Sequence, residues 1–188
     1  DRPRPTCPPE EYHGYDFREL DEVPPIADFG TGYHYIAQYS THDREGFPNP
    51  GQPEALDRLL RHLDAKLTWH LDEIVSLEEL MLEDAEVVIV AYGGPARTAK
   101  DAMLEARRRG IRAGLLRLIT VWPFDVERVA RAVRGARLVV VPELNMGQIH
   151  GEVLKAARSS VEVRRVTRVD GRSMTPREIL DAIEGGLA

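Results

Sequence analysis

From residue 86 onward the chain alternates short apolar runs with amphipathic stretches of roughly 10–14 residues, and that alternation restricts the fold more than any other feature. Glu86 to Tyr92 reads as a buried strand. Ala99, Ala102, Met103 and Ala106 then share one helical face, which Gly110 stops. Arg112 to Leu118 is the next strand, and Val126, Val129, Ala130 and Val133 mark a helix ending near Gly135. Leu138 to Val141 is a third strand, Ile149, Val153, Ala156 and Ala157 mark a third helix, and Val161 to Val166 is a fourth strand. Thr175-Pro176-Arg177-Glu178 opens a last helix, with a hydroxyl cap, Pro in the first helical position and Glu three residues after the cap. Strands feeding helices that feed strands give βαβ units. The expected class is α/β, a mostly parallel sheet with helices on both faces.

Upstream the pattern differs. Pro8-Pro9, Val23-Pro24-Pro25 and Phe47-Pro48-Asn49-Pro50-Gly51 exclude long helices from residues 1–52, because proline lacks the amide donor and restricts its predecessor. This region reads as an extended arm. Tyr12, Tyr15, Phe17, Phe29, Tyr33, Tyr35 and Tyr39 predict that it is laid on something, since disordered segments are poor in aromatics. A linker helix region follows over 53–80. Pro53 suits a first helical position, and Leu56, Leu59, Leu60, Leu63, Leu67, Leu71 and Ile74 form one stripe, so a helix is expected from Pro53 to about Val75. Ser76-Leu77-Glu78-Glu79 matches a capping box for a further short helix. The α/β domain is assigned to 81–188.

Composition narrows the function. The 188 residues are 43% hydrophobic and 30% charged, and no apolar run approaches the roughly 20 residues of a membrane helix. Residues 1–80 carry 7 Lys and Arg against 17 Asp and Glu, and residues 81–188 carry 18 against 14. This asymmetry marks a partner surface. The basic residues lie over several helices with little aromatic interleaving, which argues against nucleic acid. Cys7 is the only cysteine, so the chain forms no internal disulfide and supplies no four-thiolate iron–sulfur site. A single thiol suits a cytoplasmic protein. The chain starts on Asp1 rather than Met, which leads to the expectation of a piece of a longer protein.

Four segments are candidates for a site. Tyr92-Gly93-Gly94-Pro95-Ala96-Arg97 joins a strand to a helix, where Gly93, Gly94 and Arg97 form a weak anion-site candidate. It is neither a dinucleotide fingerprint nor a P-loop, and Pro95 removes an amide from any phosphate cradle. Thr120-Val121-Trp122-Pro123-Phe124 places two aromatics after a strand, either as a contact surface or as a cover for the domain's own core. Pro142-Glu143-Leu144-Asn145-Met146-Gly147-Gln148 puts Glu143 at a strand's carboxyl end, with Asn145 and Gln148 placed to cap the next helix as a box. Glu143 has no obvious acid–base partner, so a structural or interface role is expected. Thr41-His42-Asp43-Arg44-Glu45-Gly46 is read as a turn with polar contacts, because adjacent His42 and Asp43 lack converging ligands. No catalytic residue and no metal site is assigned.

Taken in order, Ala91-Tyr92-Gly93, Ala106-Arg107 before Gly110, Gly114-Leu115-Leu116-Arg117, Thr120 to Phe124 and Glu143 to Gln148 resemble the C-terminal domain of alpha subunits of 2-oxoacid:ferredoxin oxidoreductases, especially the 2-oxoglutarate type. Asp170-Gly171-Arg172-Ser173-Met174-Thr175-Pro176 fits that family's closing element, and the likeness covers about residues 25–185. The resemblance implies a transketolase C-terminal-like fold. It also implies a complex that uses thiamine diphosphate, magnesium and iron–sulfur clusters to decarboxylate a 2-oxoacid, reduce ferredoxin and form an acyl-CoA. No cofactor is expected in this chain, since the pyrimidine-binding domain is absent from it. The implied role is subunit assembly with the beta subunit and the remainder of the alpha subunit, with a homodimer also open, and the isolated chain is expected to be inactive. Trp122, Phe124, Glu143, Asn145 and Gln148 are the interface candidates. The alternatives are a stand-alone α/β module binding an anion or nucleotide at Gly93-Gly94, or a fragment of another thiamine-dependent dehydrogenase or transketolase.

Overall fold

The computed structural model describes residues 2–37, 40–48, 51–159 and 161–187. The chain forms two compact units, residues 1–71 and 72–188. Tyr39 and the Asn49-Pro50 pair of the arm lie outside the described residues.

In the first unit the arm is tied down by its tyrosines. The buried Tyr12 hydroxyl donates to the Pro25 carbonyl and accepts from the Ala27 amide, both at 3.1 Å. Tyr33 meets Tyr12 edge-on at 5.2 Å and donates to the Cys7 carbonyl at 2.8 Å, while Tyr15 donates to the Ile36 carbonyl at 2.7 Å. The arm also lies on helix α1 (Pro53–Thr68): Phe17 stacks on His62 with ring centres 3.8 Å apart, and the Arg58 guanidinium sits 4.7 Å over Phe17. Burial is the main reason the His62 imidazole sits below its ordinary pKa. The expectation that the arm is laid on something is met within the unit itself.

Helix α1 starts at Pro53 as expected but ends at Thr68, and a four-residue helix α2 (Leu71–Ile74) follows. Thr68 is β-branched and folds its hydroxyl back on the Asp64 carbonyl at 3.0 Å, and Trp69 and His70 add two poor helix formers. The leucine stripe and the buried face coincide only in part. Leu59, His62 and Ala65 are buried, whereas Leu60 and Leu63 are exposed.

In the second unit five strands stand in the order β1-β3-β2-β4-β5: β1 (Leu77–Leu80), β2 (Val87–Tyr92), β3 (Ala113–Leu118), β4 (Leu138–Glu143) and β5 (Glu162–Thr167). β3, β2, β4 and β5 are parallel, and β1 runs antiparallel to β3. Helices α3 (Gly93–Arg108) and α6 (Pro176–Leu187) pack on one face around Met103, Leu115, Ile179 and Ile183. Helices α4 (Val126–Ala132) and α5 (Gln148–Ala157) pack on the other around Val129, Val139 and Val153. β2 and β4 are covered on both sides, which explains their unbroken apolar runs.

The helix expected at Ser76 is instead strand β1. The Ser76 carbonyl accepts from the Ile119 and Thr120 amides, at 3.1 and 3.0 Å, and Glu78 pairs with Arg117 across the ladder at 3.0 Å. The cap expected at α6 does form: Glu178 accepts from the Thr175 amide at 2.8 Å, and the Glu178 amide donates to the Thr175 hydroxyl at 3.4 Å. Arg168 completes this site with an ion pair to Glu178. The Arg168 guanidinium first, and Thr175 next, hold the Glu178 carboxyl down at about 2. A depressed folded-state pKa contributes stability above the unfolded value and loses it as pH falls. Melting temperature should therefore decline as pH drops from the ordinary glutamate range toward 2, and Glu178→Gln should flatten that part of the profile. An unchanged slope in the variant would exclude this carboxylate as its source.

Candidate interface at the carboxyl edge of the sheet

β2 leads through α3 to β3 on one side, and the chain then crosses through α4 to β4 on the other. The carboxyl ends of β2 and β4 therefore flank the point where strand order reverses, the usual functional position in an open α/β sheet. Tyr92 ends β2 and Glu143 ends β4.

Glu143 is fully buried, and its carboxylate turns back on α5. Oε2 accepts from the Ile149 amide at 2.9 Å and Oε1 from the His150 amide at 2.8 Å. Asn145 Oδ1 accepts from the Gly147 amide at 2.7 Å and the Gln148 amide at 3.1 Å, while Nδ2 donates to the Tyr92 hydroxyl at 2.6 Å. Glu143 and Asn145 together thus bind four successive amides at the start of α5. Burial first, then the Glu143 charge, push the Tyr92 phenol above its ordinary value, and the Asn145 bond opposes them.

These positions correct two expectations. Glu143 is no surface contact, because its carboxylate is consumed inside the chain. Gln148 is not the third residue of a capping box: it is the first residue of α5, exposed, and the box is replaced by Glu143 acting from β4. The turn supplies what a box lacks here, since Gly147 sits at φ 105, a conformation that favours glycine.

The aromatic pair divides. Phe124 packs against the α4–α5 core, and Trp122 is 73% exposed. Trp122 has company at this end of the sheet. Ile119 follows β3, Leu144 and Met146 follow β4, and Val169 follows β5, all exposed. The amino edge is built differently. There Glu86 pairs with Arg112 and Arg137 at 3.1 and 3.7 Å, Asp84 with Arg107 at 2.6 Å, and Arg109 with Glu105 and Glu184 at 2.9 and 2.7 Å. One edge carries these charge pairs, and the other presents several apolar side chains to water.

Gly93 and Gly94 are exposed at the start of α3, and Arg97 is exposed without an ion-pair partner among the described residues. No side chain caps α3, but no buried polar side-chain atom is left without a partner among the described residues, so nothing further builds an anion site there. His42 and Asp43 lie in a turn, with Asp43 Oδ1 accepting from the Glu45 and Phe47 amides at 3.0 and 2.9 Å. No group of three or more His, Cys, Asp or Glu among the described residues is placed to hold a metal. No local pattern points to the Tyr92–Asn145 bond, which spans 53 residues.

Residues 85–179 match the model of a family described as pyruvate:ferredoxin oxidoreductase core domain II. The chain is 38% identical over 180 residues to the 2-oxoglutarate synthase subunit KorA of Methanothermobacter thermautotrophicus, covering 95% of this chain and 47% of that protein. It is 42% identical over 130 residues to the ketoisovalerate oxidoreductase subunit VorB of Methanothermobacter marburgensis, covering 69% of this chain and 37% of that protein. It spans about half the length or less of these curated relatives. Among solved structures, a 2-oxoglutarate:ferredoxin oxidoreductase from Magnetococcus marinus, with 2-oxoglutarate, coenzyme A and succinyl-CoA bound, superposes with a TM-score of 0.78 at 21% identity. That superposition covers 100% of this chain and 32% of the other, and it supports the fold.

Proposed function

Since the chain belongs to the pyruvate:ferredoxin oxidoreductase core domain II family, we propose that it is the C-terminal portion of an alpha-type subunit of a 2-oxoacid:ferredoxin oxidoreductase and serves the assembly of that enzyme. The substrate is a 2-oxoacid of the 2-oxoglutarate type, and the whole complex forms the acyl-CoA with ferredoxin as electron acceptor. The observation that carries this reading is the apolar carboxyl edge around Trp122. Asn145 positions the loop that presents this edge, Phe124 anchors it from below, and Trp122 makes the contact.

The cofactors of the complex are assigned to its other parts. A single cysteine does not fit a cluster that takes four thiolates. Thiamine diphosphate and magnesium belong, in this reading, to the beta subunit and the remainder of the alpha subunit. None of the described helices is long and apolar enough to cross a membrane, and the cytoplasm is the proposed location.

The relationship to a ketoisovalerate oxidoreductase subunit supports a second reading of the substrate, a branched 2-oxoacid. One assay addresses both. The chain is co-expressed with the rest of the alpha-type subunit and the beta subunit, and 2-oxoacid-dependent reduction of a viologen dye is followed with added coenzyme A. Activity is expected with the full set and lost without this chain, and the preferred 2-oxoacid identifies the substrate. Undiminished activity without residues 1–188 would overturn the assembly role.

A further inference from the structure

At the carboxyl end of β5, Met146, Arg165, Thr167, Arg168 and Val169 line a shallow cavity of about 210 Å³. Its two guanidiniums differ. Arg168 is neutralised by Asp170 at 3.0 Å and by Glu178. Arg165 has no hydrogen-bond or ion-pair partner among the described residues. Its chain lies beside Gly147, with Cδ and Nη1 each 3.9 Å from where a Cβ at that position would stand. A free cation is thus held next to the start of α5, which is itself the positive end of a helix. The four amides there are already bound by Glu143 and Asn145, which leaves the exposed Arg165 as the free positive group at this point.

The cavity walls say what carries that anion. Met146 is 80% exposed and Val169 70% exposed, and both border Arg165. A free phosphate would neutralise the guanidinium and leave both apolar walls in water. A protein segment with a carboxylate between apolar side chains covers all three. Arg97, exposed near the start of α3, is a second cation without an ion-pair partner among the described residues, and a cationic surface suits an acidic counterpart. On this basis, and resting on the assembly reading above, the geometry points to a docking site for an acidic, apolar-flanked segment of the beta subunit. An Asp or Glu of that segment pairs with Arg165, and its neighbours cover Met146 and Val169.

The test titrates the chain with the beta subunit of the same oxidoreductase by calorimetry at several chloride concentrations. Arg165→Glu should weaken binding about tenfold and reduce its salt dependence. Met146→Ser should weaken it with the salt dependence intact. Arg131→Glu, an equal charge change on an exposed face of α4, should leave affinity within about twofold. Melting curves check that each variant folds, which is expected because Arg165, Met146 and Arg131 are all exposed. Wild-type affinity in Arg165→Glu would overturn this docking site and leave the assembly reading standing. Failure of the wild-type chain to bind the beta subunit would overturn both. Inorganic phosphate that binds through Arg165 and displaces the beta subunit at matched ionic strength would reassign the cavity to a small anion.

Discussion

Glu143→Ala should destabilise the sheet-bearing unit by about 3 kcal/mol, read as a fall in melting temperature of roughly 10 °C. The carboxylate is fully buried and serves as acceptor for the Ile149 and His150 amides. Alanine removes both acceptors and leaves a void. Each buried amide left without a partner costs about 1–3 kcal/mol, and the void adds to that. Glu143→Gln keeps the shape and one carbonyl oxygen but turns an NH₂ toward the second amide, so it should lose about half as much. Amide exchange would localise the damage, with Ile149 and His150 losing protection before the β2 amides. A loss below about 0.5 kcal/mol in the alanine variant would mean that the α5 start finds other acceptors. That would remove Glu143 as the reason the loop holds Asn145 against Tyr92.

The same residue marks the limit of what the sequence discloses. Its position at the end of a strand is legible, because Leu138 to Val141 is an apolar run that Pro142 and then Glu143 follow. The direction of its side chain is not legible. Nothing local distinguishes a carboxylate facing a partner from one that folds back onto a helix beginning five residues later. Trp122 and Phe124 teach the same lesson. Two aromatics around a proline read alike in one dimension, yet Phe124 falls over the α4–α5 core and Trp122 beyond it. The alternation of elements after residue 86 was legible because each apolar run is set by local periodicity and each helix end by its own Gly, Pro or cap. Strand β1 was not, since Ser76 and Glu79 satisfy a helical capping pattern while the deciding bonds, to Ile119 and Thr120, come from more than 40 residues away. Local capping contributes about 1 kcal/mol, less than a ladder closing the sheet's edge over β3. The free charge of Arg165 was invisible for the same reason. Only the fold separates it from Arg164, which pairs with Glu162, and from Arg168, which is doubly paired.

Gly114→Val should cost about 2–3 kcal/mol in urea unfolding, although valine is the better strand former. Gly114 lies near the amino end of β3, opposite Val88 in the parallel ladder. A Cβ built there stands 2.7 Å from the Met81 carbonyl oxygen, 2.7 Å from Leu82 Cδ2 and 3.0 Å from Ala85 Cβ. Leu82 has rotamers to spare, but the Met81 carbonyl does not move freely. Arg107 Nη2 donates to it at 2.9 Å, while the same guanidinium pairs with Asp84 and its Nε donates to the Ala113 carbonyl at 2.6 Å. That one side chain clamps the 81–84 turn onto the strand next to Gly114, so any added volume must break the clamp or shift β3. Gly94 supplies the comparison, since a Cβ there meets nothing within 4 Å and its φ is ordinary. Gly94→Ala should therefore be neutral or stabilising by up to about 1 kcal/mol, because alanine has less freedom to lose in the first turn of a helix. A Gly114→Val variant within about 0.5 kcal/mol of wild type would show that the turn yields. The Gly-Leu-Leu-Arg run would then owe its glycine to something other than the close approach of the 81–85 backbone.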